Sequence, residues 1–297
     1  MSHRSAIIAD IDNTLYNFVD FFGPAFRAML HAISAKTGIA EHLLTESFRT
    51  VYSKYQSLEY PFSVQELPIL REQNFTEERL RDIVYAARVA FGQSRKNRLR
   101  LYPGVRETLV WLKQQGYILV AYSDGAYGHV ERRLIRLGVG DLFSRIVAWG
   151  PRLGELERPS DPISERIERW FVDAEPRVNP SQNNYLGSQD LKPNPQLLRK
   201  LIQDLKLDVE HSWLIGDSQT KDLRPAQEVG LQDVWARYGR IFDPQNWDTL
   251  VAISPWREPI IKTETTGVAE FAPTYIIDTF ADLRNLVPTY QPSLFES

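Results

Sequence analysis

A four-residue apolar run, Ala6-Ile7-Ile8-Ala9, ends at two carboxylates set one residue apart, Asp10 and Asp12. Nothing else limits the possible folds as much. A short run without polar alternation is what a strand buried on both faces looks like. Side chains alternate along a strand, so continued extension would put Asp10 and Asp12 on one face at its C-terminal end. Open α/β sheets bind their ligands at that end. Two carboxylates there can hold a divalent cation, and one of them can attack an electrophile. Alone, such a pair more often caps backbone groups in a turn; the rest of the chain gives it weight.

The same unit recurs. Tyr117-Ile118-Leu119-Val120-Ala121-Tyr122 runs into Ser123-Asp124-Gly125, and Trp213-Leu214-Ile215 runs into Gly216-Asp217-Ser218-Gln219-Thr220-Lys221-Asp222. Further strands are expected at Ile146–Trp149, Val234–Ala236 and Tyr275–Ile277. Apolar residues at helical spacing lie between them, for example Leu197, Leu198, Leu201, Ile202 and Leu205 after Asn194-Pro195, a capping residue followed by proline at the first helical position. Strands alternating with helices predict an α/β fold: a parallel sheet covered on both faces.

The region from about Tyr16 to Arg98 breaks the alternation with helices alone. Its stripes are Phe22, Phe26, Met29, Leu30 and Ile33; then Leu44, Phe48, Val51, Tyr52 and Tyr55; then, from Thr76 with Glu77 and Glu78 in its first turn, Leu80, Ile83, Val84, Ala87 and Phe91. It reads as a helical bundle inserted after the first strand. The expected division is a discontinuous core, 1–16 with 99–297, and an inserted domain at 17–98. Two stretches lack a pattern, about 150–188 and 238–273. Ile163, Ile167, Trp170 and Phe171 suggest one short amphipathic helix in the first.

Composition removes several classes. A chain of 297 residues is long enough for about two domains. It has no cysteine, which excludes a disulfide framework, a thiolate nucleophile and a Cys-ligated zinc. A net charge of -3 speaks against a nucleic-acid polymer as partner. No apolar run nears the roughly 18 residues of a membrane span, and a strand so near the N-terminus leaves no room for a signal peptide. The expected location is cytoplasmic, with no membrane partner.

Asp10-x-Asp12, Ser123, Lys192-Pro193 and Gly216-Asp217…Asp222 each follow a strand or precede a helix. Singly they are bland: Lys192 reads as a surface lysine, Ser123 as a turn residue, Asp222 as a solvated first-turn acid. Together they supply what phosphoryl transfer to a carboxylate needs. A hard cation such as magnesium offsets repulsion between a carboxylate and an anionic phosphate. A hydroxyl, backbone N–H groups and an ammonium hold the other phosphate oxygens. A second acid protonates the leaving oxygen and then activates water.

These four motifs, in this order and at this spacing, resemble those of the haloacid dehalogenase superfamily, and the inserted helices resemble its helical-cap, phosphatase-like subclass. The resemblance implies a Rossmann-like core with an α-helical cap and hydrolysis of a small phosphomonoester through an aspartyl-phosphate. It implies Asp10 as nucleophile and magnesium ligand, and Asp12 as general acid/base with its backbone carbonyl on the metal. Ser123, Asp124, Gly125 and Lys192 would hold the substrate phosphate, Ser123 and Lys192 taking part in catalysis. Asp217 would bind magnesium, with Thr14 and Asp222 supporting these groups from behind. A phosphomutase, or a member that binds phosphate or a partner without turnover, is the alternative. The true dehalogenases lack an acid at the position of Asp12, so its presence favours phosphate chemistry.

Two departures stand out. Asn13 takes the place of the commoner glycine, and Asp124 puts an acid beside a phosphate site, so its side chain should point away or only its backbone should serve. In the cap, Tyr52, Tyr55, Tyr60 and Phe62 read first as packing and only second as a stacking surface. Arg95, Lys96, Arg98 and Arg100 read as a solvated face, and His129 as a helix-face residue.

Overall fold

Ala6, Ile7, Ile8 and Ala9 are fully buried and form β1 (Ala6–Ala9), the central strand of the sheet. This computed structural model describes residues 4–149, 162–172, 184–188, 191–254 and 272–289, with the backbone alone at 168–172 and 184–188. The other strands are β2 (Ile118–Ala126), β3 (Arg145–Trp149), β4 (Asn184–Ser188), β5 (Trp213–Gly216), β6 (Gln232–Ala236) and β7 (Tyr275–Ile277). They lie in the order β4-β3-β2-β1-β5-β6-β7, and every pairing is parallel. The chain builds outward from β1 to β4, then returns to start β5 on the other side of β1. The order therefore reverses between β1 and β5, and a crevice opens outside their C-terminal ends.

The unbroken apolar run of β1 follows from a layer on each face. Ile7 and Ala9 join a core with Leu109 and Leu112 of α5 (Val105–Gln114) and Val130 and Leu134 of α6 (Tyr127–Arg136). Ala6 and Ile8 join another with Leu198 and Leu201 of α8 (Pro195–Leu205) and Ala226 of α9 (Arg224–Glu228). As expected, Asn194 caps α8, its side chain accepting from the Leu197 N–H at 2.9 Å.

Between β1 and β2 lie α1 (Phe18–Thr37), α2 (Glu41–Tyr55), α3 (Pro68–Arg71) and α4 (Glu77–Arg98), the inserted cap. Its helices join through rings: Phe26 of α1 meets Phe48 of α2 edge-on at 5.0 Å, and Phe22 meets Phe91 of α4 at 5.6 Å. Tyr52, Tyr60 and Phe62 are buried.

Both stretches read as patternless contain more structure than expected. In 150–188 the expected helix is α7 (Pro162–Val172), with Ile167 buried and Ile163 exposed; the Trp170 and Phe171 side chains lie outside the described residues. The same stretch also supplies β4, paired in register from Arg145↔Asn184 to Trp149↔Ser188. As an edge strand, Asn184–Ser188 needs one partner and carries no apolar run that would mark it.

In 238–273 the structure adds α10 (Pro244–Ile253), which meets α1 partly through polar contacts. Asn246 accepts from Arg27 at 2.6 Å and donates to Asp20 at 2.8 Å, while Thr249 accepts from Arg27 at 2.7 Å. Beside these bonds, Trp247, Leu250 and Ile253 are buried at helical spacing, a short apolar stripe that the sequence does carry.

That seam depends on Gly23, where a Cβ would come within 2.9 Å of the Asn246 Cβ. Gly23→Leu gains about 1 kcal/mol of helix propensity but overpacks the seam at a cost of about 1–3 kcal/mol. A net loss of up to about 2 kcal/mol in urea unfolding is the expected result; a net gain of about 1 kcal/mol, the helix propensity alone, would mean that α10 is not seated on α1.

Candidate active site

The Asp10 N–H donates to the Ile215 carbonyl at 2.8 Å, continuing the pairing of β1 with β5. This puts the buried Asp10 carboxyl in the crevice where the strand order reverses. The chain then turns sharply, with the Leu15 N–H on the Ile11 carbonyl at 3.0 Å and Asn13 left-handed at φ 61°. Asparagine accepts that conformation better than most residues. Its side chain also works: Asn13 Oδ1 accepts from the N–H groups of Phe18 (2.9 Å) and Val19 (3.4 Å), tying the turn to the start of α1. A glycine could make the turn but not this tie.

Both Asp10 oxygens are engaged. The Thr14 hydroxyl donates to Oδ2 at 2.9 Å, and the Lys192 ammonium to Oδ1 at 2.6 Å. Lys192 also donates to Asp222 Oδ1 at 2.7 Å, and all three residues are buried. Asp222 sits in one turn of π-helix, Gln219–Leu223, that leads into α9; such turns often occur at functional sites. A Cβ at Gly216 would collide with the Asp222 carboxylate, which accounts for the glycine before Asp217.

Oxygens of Asp10, Asp217 and Asp222 all lie within 4.8 Å of one another. Two unit charges at that separation repel by about 3–4 kcal/mol at an effective dielectric of 20. Lys192 offsets part of this, and Arg240 stands 3.7 Å from Asp217 Oδ2. Three carboxylates still outnumber two cations. Burial pushes the Asp10 carboxyl up to about 7, against the pull of Lys192 and with help from the Asp222 charge. Burial likewise raises Asp222. For Lys192 burial works against the charge, but Asp10 and Asp222 outweigh it and hold its pKa well above the usual lysine value. A cluster of hard oxygen donors with excess negative charge fits a divalent cation.

Residues 5–230 match the haloacid dehalogenase-like hydrolase family. The chain belongs to that family. Over 249 residues, 82% of this chain and 89% of the relative, it is 28% identical to glyceraldehyde 3-phosphate phosphatase of Methanopyrus kandleri. Over 72 residues, 24% of this chain and 32% of the relative, it is 33% identical to phosphoglycolate phosphatase of Haemophilus influenzae. The fold is shared with 2-haloacid dehalogenase of Pseudomonas syringae pv. Tomato (TM-score 0.56, 16% identity, 95% and 97% of the two chains). It is shared also with a HAD phosphatase of Thermococcus onnurineus (TM-score 0.52, 19% identity, 97% and 100%).

The remaining motif residues of this hydrolase gather at the same edge. β2 runs beside β1 with Ala121 opposite Ala9, and it bulges against β3 between Tyr122 and Ala126. Ser123, Asp124 and Gly125 fall in that bulge, where ladders are often bent to aim functional groups. The buried Ser123 Oγ accepts from the Gly125 N–H at 3.0 Å. Asp124 turns its side chain to the next loop: Oδ1 accepts the Lys192 backbone N–H at 2.7 Å, and Oδ2 is 3.6 Å from the Lys221 ammonium. Its acid thus anchors the loop that carries Lys192.

Asp12 stands apart from the three clustered carboxylates, in a setting the motifs did not announce. Its Oδ1 accepts from Arg133 of α6 at 2.8 Å and, in a very short contact, from the Tyr16 hydroxyl. Arg133 also donates to Tyr16 at 2.6 Å and, again very closely, to Glu59 of the cap. The Arg133 guanidinium is buried against the rings of Tyr16, Phe18 and Phe21, at 5.5 to 5.9 Å. Burial raises the Asp12 pKa; Arg133 opposes this and the Glu59 charge adds to it. Arg133 lies 121 residues from Asp12 and 74 from Glu59, so local spacing carries no sign of the link. Tyr238, in the stretch read as patternless, also reaches this loop, donating to the Thr14 carbonyl at 2.6 Å.

Lys192→Met removes the ammonium between two buried carboxylates, a change that typically costs about 3–5 kcal/mol. Urea unfolding with chelator present is expected to show a loss of that size, whereas Lys200→Met, at an exposed pair, is expected to cost well under 1 kcal/mol. Equal effects at the two positions would contradict the buried bridge.

Proposed function

We propose that this chain is a magnesium-dependent phosphatase that hydrolyses a small phosphomonoester through an aspartyl-phosphate at Asp10. The main support is the Asp10 carboxylate, held by Thr14 and Lys192 at the reversal of strand order, beside Asp217 and Asp222. The names of the relatives, phosphatases for glyceraldehyde 3-phosphate and phosphoglycolate, agree with a phosphoester substrate. The working division is a core of 1–16 with 99–297 and a cap of 17–98.

In this reading an Asp10 oxygen attacks phosphorus and the bond to the leaving alcohol breaks. The Asp12 carboxylic acid gives its proton to the departing oxygen. Water then attacks the acyl-phosphate while the Asp12 carboxylate takes its proton, and phosphate leaves with Asp10 restored. Ser123, the Asp124 and Gly125 backbone and Lys192 hold the phosphoryl oxygens. Asp10, Asp217 and the Asp12 backbone carbonyl would hold magnesium, which offsets the charge of substrate and nucleophile. Asp222 fixes Lys192, and Thr14 fixes Asp10. The Tyr16 and Arg133 donors leave Asp12 Oδ2 as the oxygen to meet the leaving group.

Two measurements test this. Phosphate release from a panel of phosphomonoesters should require magnesium, stop with chelator and fall to background in Asp10→Asn; release that ignores both changes would sink the mechanism. Asp12→Asn should cost about 10²–10⁴-fold in turnover, the usual contribution of a positioned general acid. Its burst of aspartyl-phosphate, read by rapid quench, should be largest with esters whose alcohols leave without a proton.

A further inference from the structure

Arg133 and Glu59, which meet beside Asp12, also line a cavity of about 290 Å³ between the cap and α6. Among the described residues, Arg88 and Arg95 of α4 and Arg132, Arg133 and Arg136 of α6 line it, with Glu59 as the one carboxylate. Phe21, Phe22, Tyr60 and Phe91 supply apolar ring surface. Arg95, read from sequence as part of a solvated face, therefore borders this space, and so do three of the aromatics read as packing, Tyr52, Tyr60 and Phe62.

His129 adds an independent observation. It lines the cavity, and its Nε2 is buried with no hydrogen-bond partner. Burial, with Arg133, Arg132 and Arg95 around it, pushes its pKa down to about 3, so the ring is neutral. A buried polar nitrogen without a partner costs about 1–3 kcal/mol, so this ring is held beside the arginines at some expense. The volume also bears on size. Pockets for drug-sized ligands begin at about 300 Å³, more space than a two- or three-carbon alcohol fills.

Resting on the phosphatase reading, we propose that this cavity receives the leaving group of the substrate, and that this leaving group carries a second anion on a flat apolar frame. The arginines recognise the anion, a carboxylate or a phosphate, and the phenyl and phenol rings pack against the frame. Arg133 joins the two halves of the site, because it borders the cavity and positions the acid that protonates the departing oxygen.

Binding of leaving-group alcohols tests this without turnover. The full chain is titrated calorimetrically with 4-hydroxybenzoate, 4-hydroxyphenylphosphonate, the neutral 4-hydroxybenzamide, and glycolate. At least one of the two ring anions should bind tenfold or more tightly than the amide and than glycolate, and the stronger of the two identifies the anion. Arg132→Gln and Arg136→Gln should each cut that preference about tenfold; Arg136 is exposed, so its replacement leaves the fold intact. Equal binding of anion and amide, a preference that survives both replacements, or no binding by any probe overturns the proposal. Phosphate release without anion preference would remove this inference alone. Anion preference without release from any ester would remove the phosphatase reading and leave the cavity's ligand standing.

Discussion

One ammonium group joins the two halves of the sheet. Lys192 reaches from the loop before α8 to Asp10 at the end of β1 and to Asp222 beyond β5. A buried bridge of this kind is a poor source of net stability, because desolvation cancels most of the attraction. Its consequence is geometric. With both carboxylates bound to one donor, the ends of β1 and β5 are held in a fixed relation where the strand order reverses. The Asp124 side chain adds a second tie by gripping the Lys192 backbone. An acid that looked misplaced beside a phosphate site thus serves as a strut for the cation that faces it.

The two acids of Asp10-x-Asp12 end in different surroundings, although an extended strand would have put them side by side. The turn at Asn13 separates them. Asp10 stays with carboxylates and Lys192, a setting for charge balance around a cation, while Asp12 enters the company of Tyr16, Arg133 and Glu59. Burial favours the protonated form of both. Their neighbours differ, and with them the work each carboxyl is suited to. In the proposed mechanism, this separation of environments lets two like residues take up the roles of nucleophile and proton carrier.

The core was legible in sequence because its strands are buried on both faces. Ala6–Ala9 and Trp213–Ile215 have no polar residue to confuse the reading, and the acids follow at once. β4 and α10 are less plainly marked than the core strands. β4 is an edge strand with no apolar run, and α10 meets α1 through Asn246, Thr249, Arg27 and Asp20 as well as through carbon. Hydrophobic periodicity registers only what is buried by exclusion from water, so elements fixed in part by backbone pairing or by side-chain hydrogen bonds register more weakly.

The same limit divides the site. Asp10, Lys192, Asp217 and Asp222 were readable because each sits at a fixed offset from a strand or a helix start. Arg133 and Glu59 sit at no such offset. In sequence Arg133 is one of several arginines on α6, and only the fold separates it from Arg132 and Arg136 by burying it against three rings. A buried guanidinium must be paired, and its partners here belong to both parts of the molecule: Asp12 to the core and Glu59 to the cap. Cap position and the orientation of the acid therefore share one side chain. Movement of the cap that carries Glu59 away must leave Arg133 with Asp12 and Tyr16 as its acceptors, which changes the surroundings of Asp12.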